Sequence, residues 1–262
     1  MSRLESLTNA IMNNRRIVWF SAGAASACAA KLTLQAHENV EIVYCNTARS
    51  EHRSNYKFRE DCERWFGRRI WVISSKKYDS IDDVFMTRRY MAGPKGAICT
   101  TEMKKIPRFE FQQPDDIHIF GFTADEPKRI KDFRSRNPEL NLEWPLLDAG
   151  VTKAKCFEML RQAGIKLPEL YRLGFKNNNC LGCVKATSPW YWNQVRKFFP
   201  AVFKLRCKQS RELGVKLIRL LGKRIFLDEL PAQEDLPLSV VGKEENVSCG
   251  PECGQVNSTN VG

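Results

Sequence analysis

Short apolar runs alternate along this chain with longer stretches whose apolar residues recur every three or four positions. The runs at 17–20, 41–45, 70–73 and 117–121 are brief and rich in β-branched and aromatic side chains, and a fifth lies near 144–146; each reads as a strand. Between them, 26–36 is small and apolar enough to lie on a sheet. The stretch 55–66 gathers Tyr56, Phe58, Cys62, Trp65 and Phe66 on one broad face, and 152–163 opens on a capping Thr152 and repeats Ala154, Phe157 and Leu160 at helical spacing. Strand runs alternating with helical runs predict an α/β fold, a parallel five-stranded sheet with helices on both faces.

Further along, Leu213, Leu217, Ile218, Leu220 and Leu221 recur within 196–224 among ten basic residues and the single acid Glu212. That spacing predicts a helix with one buried face and a basic outer face. From Pro231 the chain turns acidic and rich in Gly, Ser and Asn, a composition typical of a tail, interrupted by a cysteine pair. The expected organisation is therefore a domain over 1–190, a basic helical extension over 191–230 and an acidic tail over 231–262. No internal repeat is present.

Composition sharpens this picture in three ways. At 262 residues and 43% hydrophobic content the chain can bury one large core, and two equal domains are not expected. No stretch approaches the roughly 20 apolar residues of a membrane span, and residues 1–16 lack the apolar core of a signal peptide, which predicts a cytoplasmic protein with no membrane partner. Ten cysteines in a reducing compartment exceed what packing requires and argue against a disulfide framework, so some are expected to bind metal or do redox chemistry. The net charge of +12 is uneven. Residues 231–262 hold five acids against Lys243, leaving a body with 41 Lys and Arg against 25 Asp and Glu, a net +16 that concentrates anions at its surface. Nucleotides, sulfonucleotides and nucleic acid lying along 196–224 are the candidate partners, and the oligomeric state is left open.

Two segments carry candidate chemistry. Immediately after the first strand comes Ser21-Ala22-Gly23-Ala24-Ala25-Ser26, followed by a small-residue helix. Small residues let backbone amides approach an anion, the helix N-terminus adds partial positive charge, and Ser21 and Ser26 offer hydroxyls, so phosphate or sulfate fits there. The second is Cys180-Leu181-Gly182-Cys183 behind Asn177-Asn178-Asn179, a spacing that lets two thiolates reach one metal and that equally suits a redox pair. Cys28, Cys45, Cys62, Cys156 and Cys207 are expected to be core thiols, and His37, His52 and His118 to hold surface or core positions.

In order, five places resemble the phosphoadenosine phosphosulfate (PAPS) reductase family of the PP-loop superfamily. The loop at Ser21–Ser26 is similar to the family's Ser-Gly-Gly-x-x-Ser. Val43-Tyr44-Cys45-Asn46-Thr47-Ala48 with Glu51-His52 is similar to Tyr-x-Asp-Thr-Gly and its acid. The segment from Cys99-Thr100 through Lys104-Lys105 to Pro107 looks like Cys-Cys-x-x-(Arg/Leu)-Lys-x-x-Pro. Gly121-Phe122-Thr123-Ala124-Asp125-Glu126-Pro127-Lys128-Arg129 follows the fourth strand as the family's Gly-x-Arg-x-x-Glu-Ser-x-x-Arg does. Finally, Trp144-Pro145-Leu146 leads to Leu170-Tyr171-Arg172-Leu173-Gly174-Phe175 and then Cys180 and Cys183. Ala24 and Ala25 occupy loop positions where PP-loop ATP pyrophosphatases carry an acid, and Thr123 and Pro127 replace the family's Arg and Ser.

The resemblance implies an adenine nucleotide (PAPS, APS or ATP) contacted by Ser21, Ala22, Gly23, Ala24, Ala25, Ser26, Asn46, Thr47, Gly121, Phe122 and Arg129. It also implies a 4Fe-4S cluster, with zinc as the alternative, on Cys99, Cys180, Cys183 and a tail cysteine, Cys249 or Cys253. Glu252-Cys253-Gly254 is similar to the family's C-terminal nucleophile, which makes Cys253 the catalytic candidate: its thiolate would attack the phosphosulfate sulfur, and a thiol reductant would then release sulfite. An enzyme of sulfur transfer or reduction is the first reading. A PP-loop sulfurtransferase acting on tRNA or DNA is the second, and a non-catalytic nucleotide-binding protein the third.

Overall fold

Ile17, Val18 and Trp19 in succession put apolar side chains on both sides of an extended backbone, so a strand there must be covered on both faces. In the computed structural model, which describes residues 14–93 and 96–237, this segment is the central strand β1 (Arg16–Trp19). It pairs in parallel with β2 (Val40–Cys45) on one side and β4 (Ile117–Ile119) on the other. β3 (Ile70–Ile73) flanks β2 and β5 (Asn141–Glu143) flanks β4, so the sheet is parallel throughout in the order 3-2-1-4-5. The fifth strand lies three residues before the predicted 144–146. Pro145 has no N–H for a ladder and instead opens the short helix Pro145–Asp148.

One face of the sheet, through Val18, Phe20, Ile42 and Ile119, is covered by α1 (Ala24–Ala36), α2 (Ser54–Phe66) and, further on, α6 (Lys153–Gln162). Ala27, Cys28 and Ala30 are fully buried on α1, so small side chains let that helix approach the strands closely. The opposite face, through Ile17, Trp19, Val43 and Cys45, meets Ile130 and Phe133 of α5 (Pro127–Arg136) and Phe111 of α4 (Ile106–Phe111). Alternation along β1 thus feeds two cores.

A third apolar cluster contains no strand of this sheet. It joins α3 (Ile81–Arg88), Cys99, Met103, Cys180 and Cys183 to α7 (Pro189–Phe198) and α8 (Pro200–Glu212). The helix predicted across 196–224 stops at Glu212. Gly214 follows at φ +67, and the Leu-rich run folds as an antiparallel hairpin of β6 (Ile218–Leu220) and β7 (Lys223–Ile225). Leu221 and Gly222 turn it, both at positive φ, which matches the twist a two-residue hairpin turn needs. An apolar run this short is compatible with either period, and two flanking glycines decide for strands. Among the described residues no helix is long and apolar enough to cross a membrane.

Candidate functional site

From β1 the strand order runs one way to β2 and β3 and the other way to β4 and β5, which opens a crevice beyond the carboxyl ends of β1 and β4. The turns leaving those two strands meet there. A Cβ at Gly121 would stand 2.6 Å from Ser26 N and 2.8 Å from its Cα, so only glycine allows this approach. Within the first turn, the Ser26 hydroxyl donates to the Gly23 carbonyl at 3.0 Å and accepts the Ser21 N–H at 3.0 Å. Its one proton is thereby committed, which makes Ser21 Oγ the donor in their 3.1 Å contact. Ser26 therefore braces the turn and takes up both donors of Ser21, and an anion is left to the backbone amides at the start of α1.

Two more features shape this turn. Ala22 is fully buried at φ +55, in the left-handed region that favours glycine. The Tyr171 hydroxyl accepts the Ala24 N–H at 3.3 Å and so caps α1 from 147 residues away. Burial pushes this hydroxyl up to about 12, against the lowering effect of the Ala24 and Asn178 backbone N–H groups, so it stays protonated at neutral pH.

The cleft beside the turn is lined by Trp19, Ser21, Gly23, Ala25, Ser26 and Gly121, by Thr123, Asp125, Glu126 and Arg129 after β4, and by Lys153, Tyr171 and Asn177 to Asn179. Glu126 organises the second group: it accepts from Thr123 N and Oγ1 at 3.1 and 3.0 Å and from Arg129 Nη1 at 2.6 Å. The Arg129 guanidinium also lies 4.2 Å from the centre of the buried Phe122 ring, so Phe122 is a platform for the cation rather than part of the lining. Lys153 Nζ donates to the Lys176 carbonyl and to Asn177 Oδ1, tying the start of α6 to the asparagine run.

A hydrogen-bond relay joins the second predicted motif to the turn. Thr47 Oγ1 donates to Glu51 at 2.5 Å, Asn55 Nδ2 donates to Glu51 at 2.8 Å, and Asn178 Nδ2 donates to Asn55 Oδ1 at 2.9 Å and to the Ala22 carbonyl at 2.7 Å. Thr47 is thus buried and committed to a carboxylate. Asn46 donates to Ser74 Oγ and accepts the Ala48 N–H, at the ends of β2 and β3. Asn178 Oδ1 is buried and, among the described residues, accepts from no protein donor, while the residue stands in the cleft wall. A ligand donor fits that atom.

Of the eleven predicted nucleotide-binding residues, Ser21, Gly23, Ala25, Ser26, Gly121 and Arg129 line one cleft. Ala22, Ala24, Asn46, Thr47 and Phe122 do not, and they shape or support it instead. Sequence reasoning passed over Lys153, and named Tyr171 and the asparagines only as parts of the segment leading to Cys180, with no role at the turn. One local signal existed for Lys153: a cation in the first turn of a helix opposes the helix dipole, so it stands there for another reason.

The cysteines divide by environment. Cys28 and Cys62 are buried, with thiols pushed well above the ordinary range, Cys28 by its contact with Cys156 and by burial, Cys62 by burial. Cys45 and Cys156 are also buried, and Cys207 is partly so. Cys180 and Cys183 sit on one loop beside Tyr191, whose hydroxyl accepts the Cys183 N–H at 2.8 Å. Burial raises that hydroxyl well above its usual range, and the Cys183 and Cys180 thiols add to the rise. A 4Fe-4S cluster or a structural zinc takes four ligands. Among the described residues no three His, Cys, Asp or Glu side chains are gathered closely enough to hold a metal ion. Cys99 shares the apolar cluster of Cys180 and Cys183, and Cys249 and Cys253 lie outside the described residues. The described donors therefore do not complete either centre by themselves.

A parallel 3-2-1-4-5 sheet with helices on both faces and a serine-bounded turn at its switch point defines a doubly wound α/β fold. Among solved structures, this chain is similar to the phosphoadenylyl-sulfate (PAPS) reductase from Candida auris in its phosphate complex, with 12% identity and a TM-score of 0.45, covering 69% of this chain and 88% of that one. It is also similar to the U34-tRNA thiolase NcsA from Methanococcus maripaludis with its 4Fe-4S cluster, with 9% identity and a TM-score of 0.39, covering 80% of this chain and 76% of that one. No family model and no curated protein matches the sequence.

Proposed function

We propose that this chain binds an adenine nucleotide or sulfonucleotide in the cleft beyond β1 and β4 and that it is an enzyme of sulfur transfer or reduction. The observation that carries the reading is the convergence, in one cleft, of the α1 N-terminus, the cations of Arg129 and Lys153, and the buried acceptor Asn178 Oδ1. The phosphate or sulfate group takes the backbone amides at the start of α1, where the helix dipole favours negative charge by about 0.3–2 kcal/mol. Arg129, held by Glu126 and Phe122, supplies a directional cation to the same anion. Tyr171 keeps its proton and with it the shape of the turn.

The sulfur chemistry belongs to thiols. Cys180 stands two residues beyond Asn178, and Asn177 and Asn179 line both the cleft and the small apolar cavity at Cys180. In the reductase reading a thiolate takes the sulfonate from the sulfonucleotide, the nucleotide leaves with the bridging oxygen, and a thiol reductant then attacks the S-sulfo group to release sulfite and form a disulfide. Cys253 is the candidate nucleophile. Anaerobically prepared full chain, supplied with PAPS or APS and dithiothreitol, is expected to release sulfite, with loss on Cys253→Ser. Release of AMP and pyrophosphate from ATP only when tRNA is present would replace this reading with the sulfurtransferase one. Tight nucleotide binding without either release would reduce the chain to a binding protein.

A further inference from the structure

We propose that Asn178 is a positioning residue that holds the phosphate turn in shape from the cysteine loop, by fixing the Ala22 carbonyl and so keeping an alanine in a left-handed conformation. The proposal rests on the reading of that turn as the phosphate site.

The orientation of the Asn178 amide is determined from outside. Glu51 is an acceptor for both Thr47 Oγ1 and Asn55 Nδ2, so Asn55 must present its Oδ1 to the neighbouring asparagine. Asn178 then has to turn its Nδ2 toward Asn55, and the second proton of that nitrogen reaches the Ala22 carbonyl at 2.7 Å. No flipped arrangement satisfies the set, because flipping Asn178 would set its oxygen against two acceptors. The backbone N–H of Asn178 meets the Tyr171 hydroxyl, which itself caps Ala24. Residues 22 and 24 are therefore both gripped from the 171–178 segment.

What is gripped has reason to move. Ala22 at φ +55 carries a Cβ where glycine would not, so the backbone at 22 gains by leaving the left-handed region, which swings its carbonyl and the peptide after it unless that carbonyl is held. Rotation there would redirect the Gly23 N–H, which shares that peptide plane with the Ala22 carbonyl and stands at the N-cap of α1 where an anion is faced. Asn178 is 8% exposed, and Cys180 follows two residues later, with Leu181 N anchored on the Ser50 carbonyl. Displacement of the cysteine loop thus loosens the turn.

The test compares Asn178→Ala in two backgrounds, the native chain and Ala22→Gly, because glycine adopts φ +55 without strain and no longer needs the hold. Hydrogen exchange in a peptide covering 21–26 and ATP affinity by calorimetry are both read on the full chain. In the native background exchange should quicken and affinity fall by about five- to tenfold, the worth of one hydrogen bond. In the Ala22→Gly background the same substitution should change exchange by less than about twofold, while affinity falls only by the share that Asn178 Oδ1 itself gives to the nucleotide, and so by less than in the native background. Asn178→Asp, of unchanged size, should act like Asn178→Ala and serves if the smaller variant folds poorly. Equal effects on exchange in both backgrounds, or no effect in either, overturn the proposal, since a space-filling role would not be rescued at position 22. If the native chain binds no ATP, the nucleotide reading falls, and the exchange comparison alone decides the role of Asn178.

Discussion

Ala22 occupies a conformation that costs a residue with a side chain about 1–2 kcal/mol, and the Asn178 hydrogen bond, worth about 0.5–1.5 kcal/mol net, offsets most of that. The resembled signature has glycine at this position, so the substitution and its hold are both visible at the scale of one residue. His118 is a second case. It is buried in β4, accepts the Trp19 indole N–H on Nδ1 at 3.0 Å, and has its pKa lowered to about 4, by burial first and then by the Arg108 charge. The folded state thus keeps this imidazole neutral at pH values where the unfolded chain binds a proton. Its contribution is fully present above pH 6.5, the ordinary value, and is lost as the pH falls toward about 4. Stability measured by urea unfolding should therefore drop by about 2–3 kcal/mol across that window from this group. His118→Gln, which keeps an acceptor for Trp19, should flatten that part of the profile; an unchanged profile would show that other groups produce it.

At the scale of elements, α8 has a structural role that its basic sequence disguises. Arg206 is buried, donates to the Gly182 carbonyl at 3.1 Å and to Gln209 at 2.6 Å, pairs with Asp82, and lies over the Phe85 ring. A Cβ at Gly182 would come 2.8 Å from Val202 Cγ1, so the cysteine loop and α8 are in direct contact as well. Arg206→Ala should cost about 1–3 kcal/mol, because it leaves the Gly182 carbonyl and Gln209 Oε1 without the guanidinium and removes its packing on Phe85, while Asp82, a third exposed, keeps the Gln209 Nε2 donor. It should also raise the reactivity of Cys180 and Cys183 toward a thiol reagent. Retained stability with unchanged thiol reactivity would show that α8 does not anchor this loop. Arg196 is likewise committed to the Leu230 and Pro231 carbonyls, and Arg211 to Asp228 and Glu229. The basic run thus divides into arginines that fold the chain and exposed lysines that remain for a partner.

For the whole molecule, that division narrows a nucleic-acid surface along 196–224 to the exposed cations Lys197, Lys204, Lys208, Lys216, Arg219 and Lys223. If tRNA lies along them, its affinity falls linearly with the logarithm of salt, and neutralising Lys204, Lys208 and Lys216 together should reduce the slope by about 0.7 for each phosphate that no longer meets a cation. Fluorescence anisotropy across a salt series measures this, and a slope that the triple variant leaves unchanged rules these lysines out.

Local chemistry explains how much of this was legible. Four strands and the helices over 24–36, 54–66 and 153–162 follow from period, capping and turn residues, which act over a few positions. Ser21, Gly23 and Ser26 were legible as an anion site because small residues after a strand are a local pattern, whereas Gly121 and Arg129 came only through the resemblance to the PAPS reductase family. Pro145 shifted the fifth strand, and Gly214 and Gly222 turned a Leu-rich run into a hairpin whose period alone is ambiguous. Lys153, Tyr171 and Asn178 could not be found in this way. Their partners lie at Asn177, Ala24 and Ala22, up to 156 residues distant in sequence, and no spacing encodes a contact of that range. The sequence alone determines that β1 is covered on both faces and ends in a turn able to face an anion, since those follow from side-chain alternation and backbone sterics. Only the tertiary structure decides that the turn is held by the cysteine loop, because a hydrogen bond between distant segments exists only once packing has brought them together.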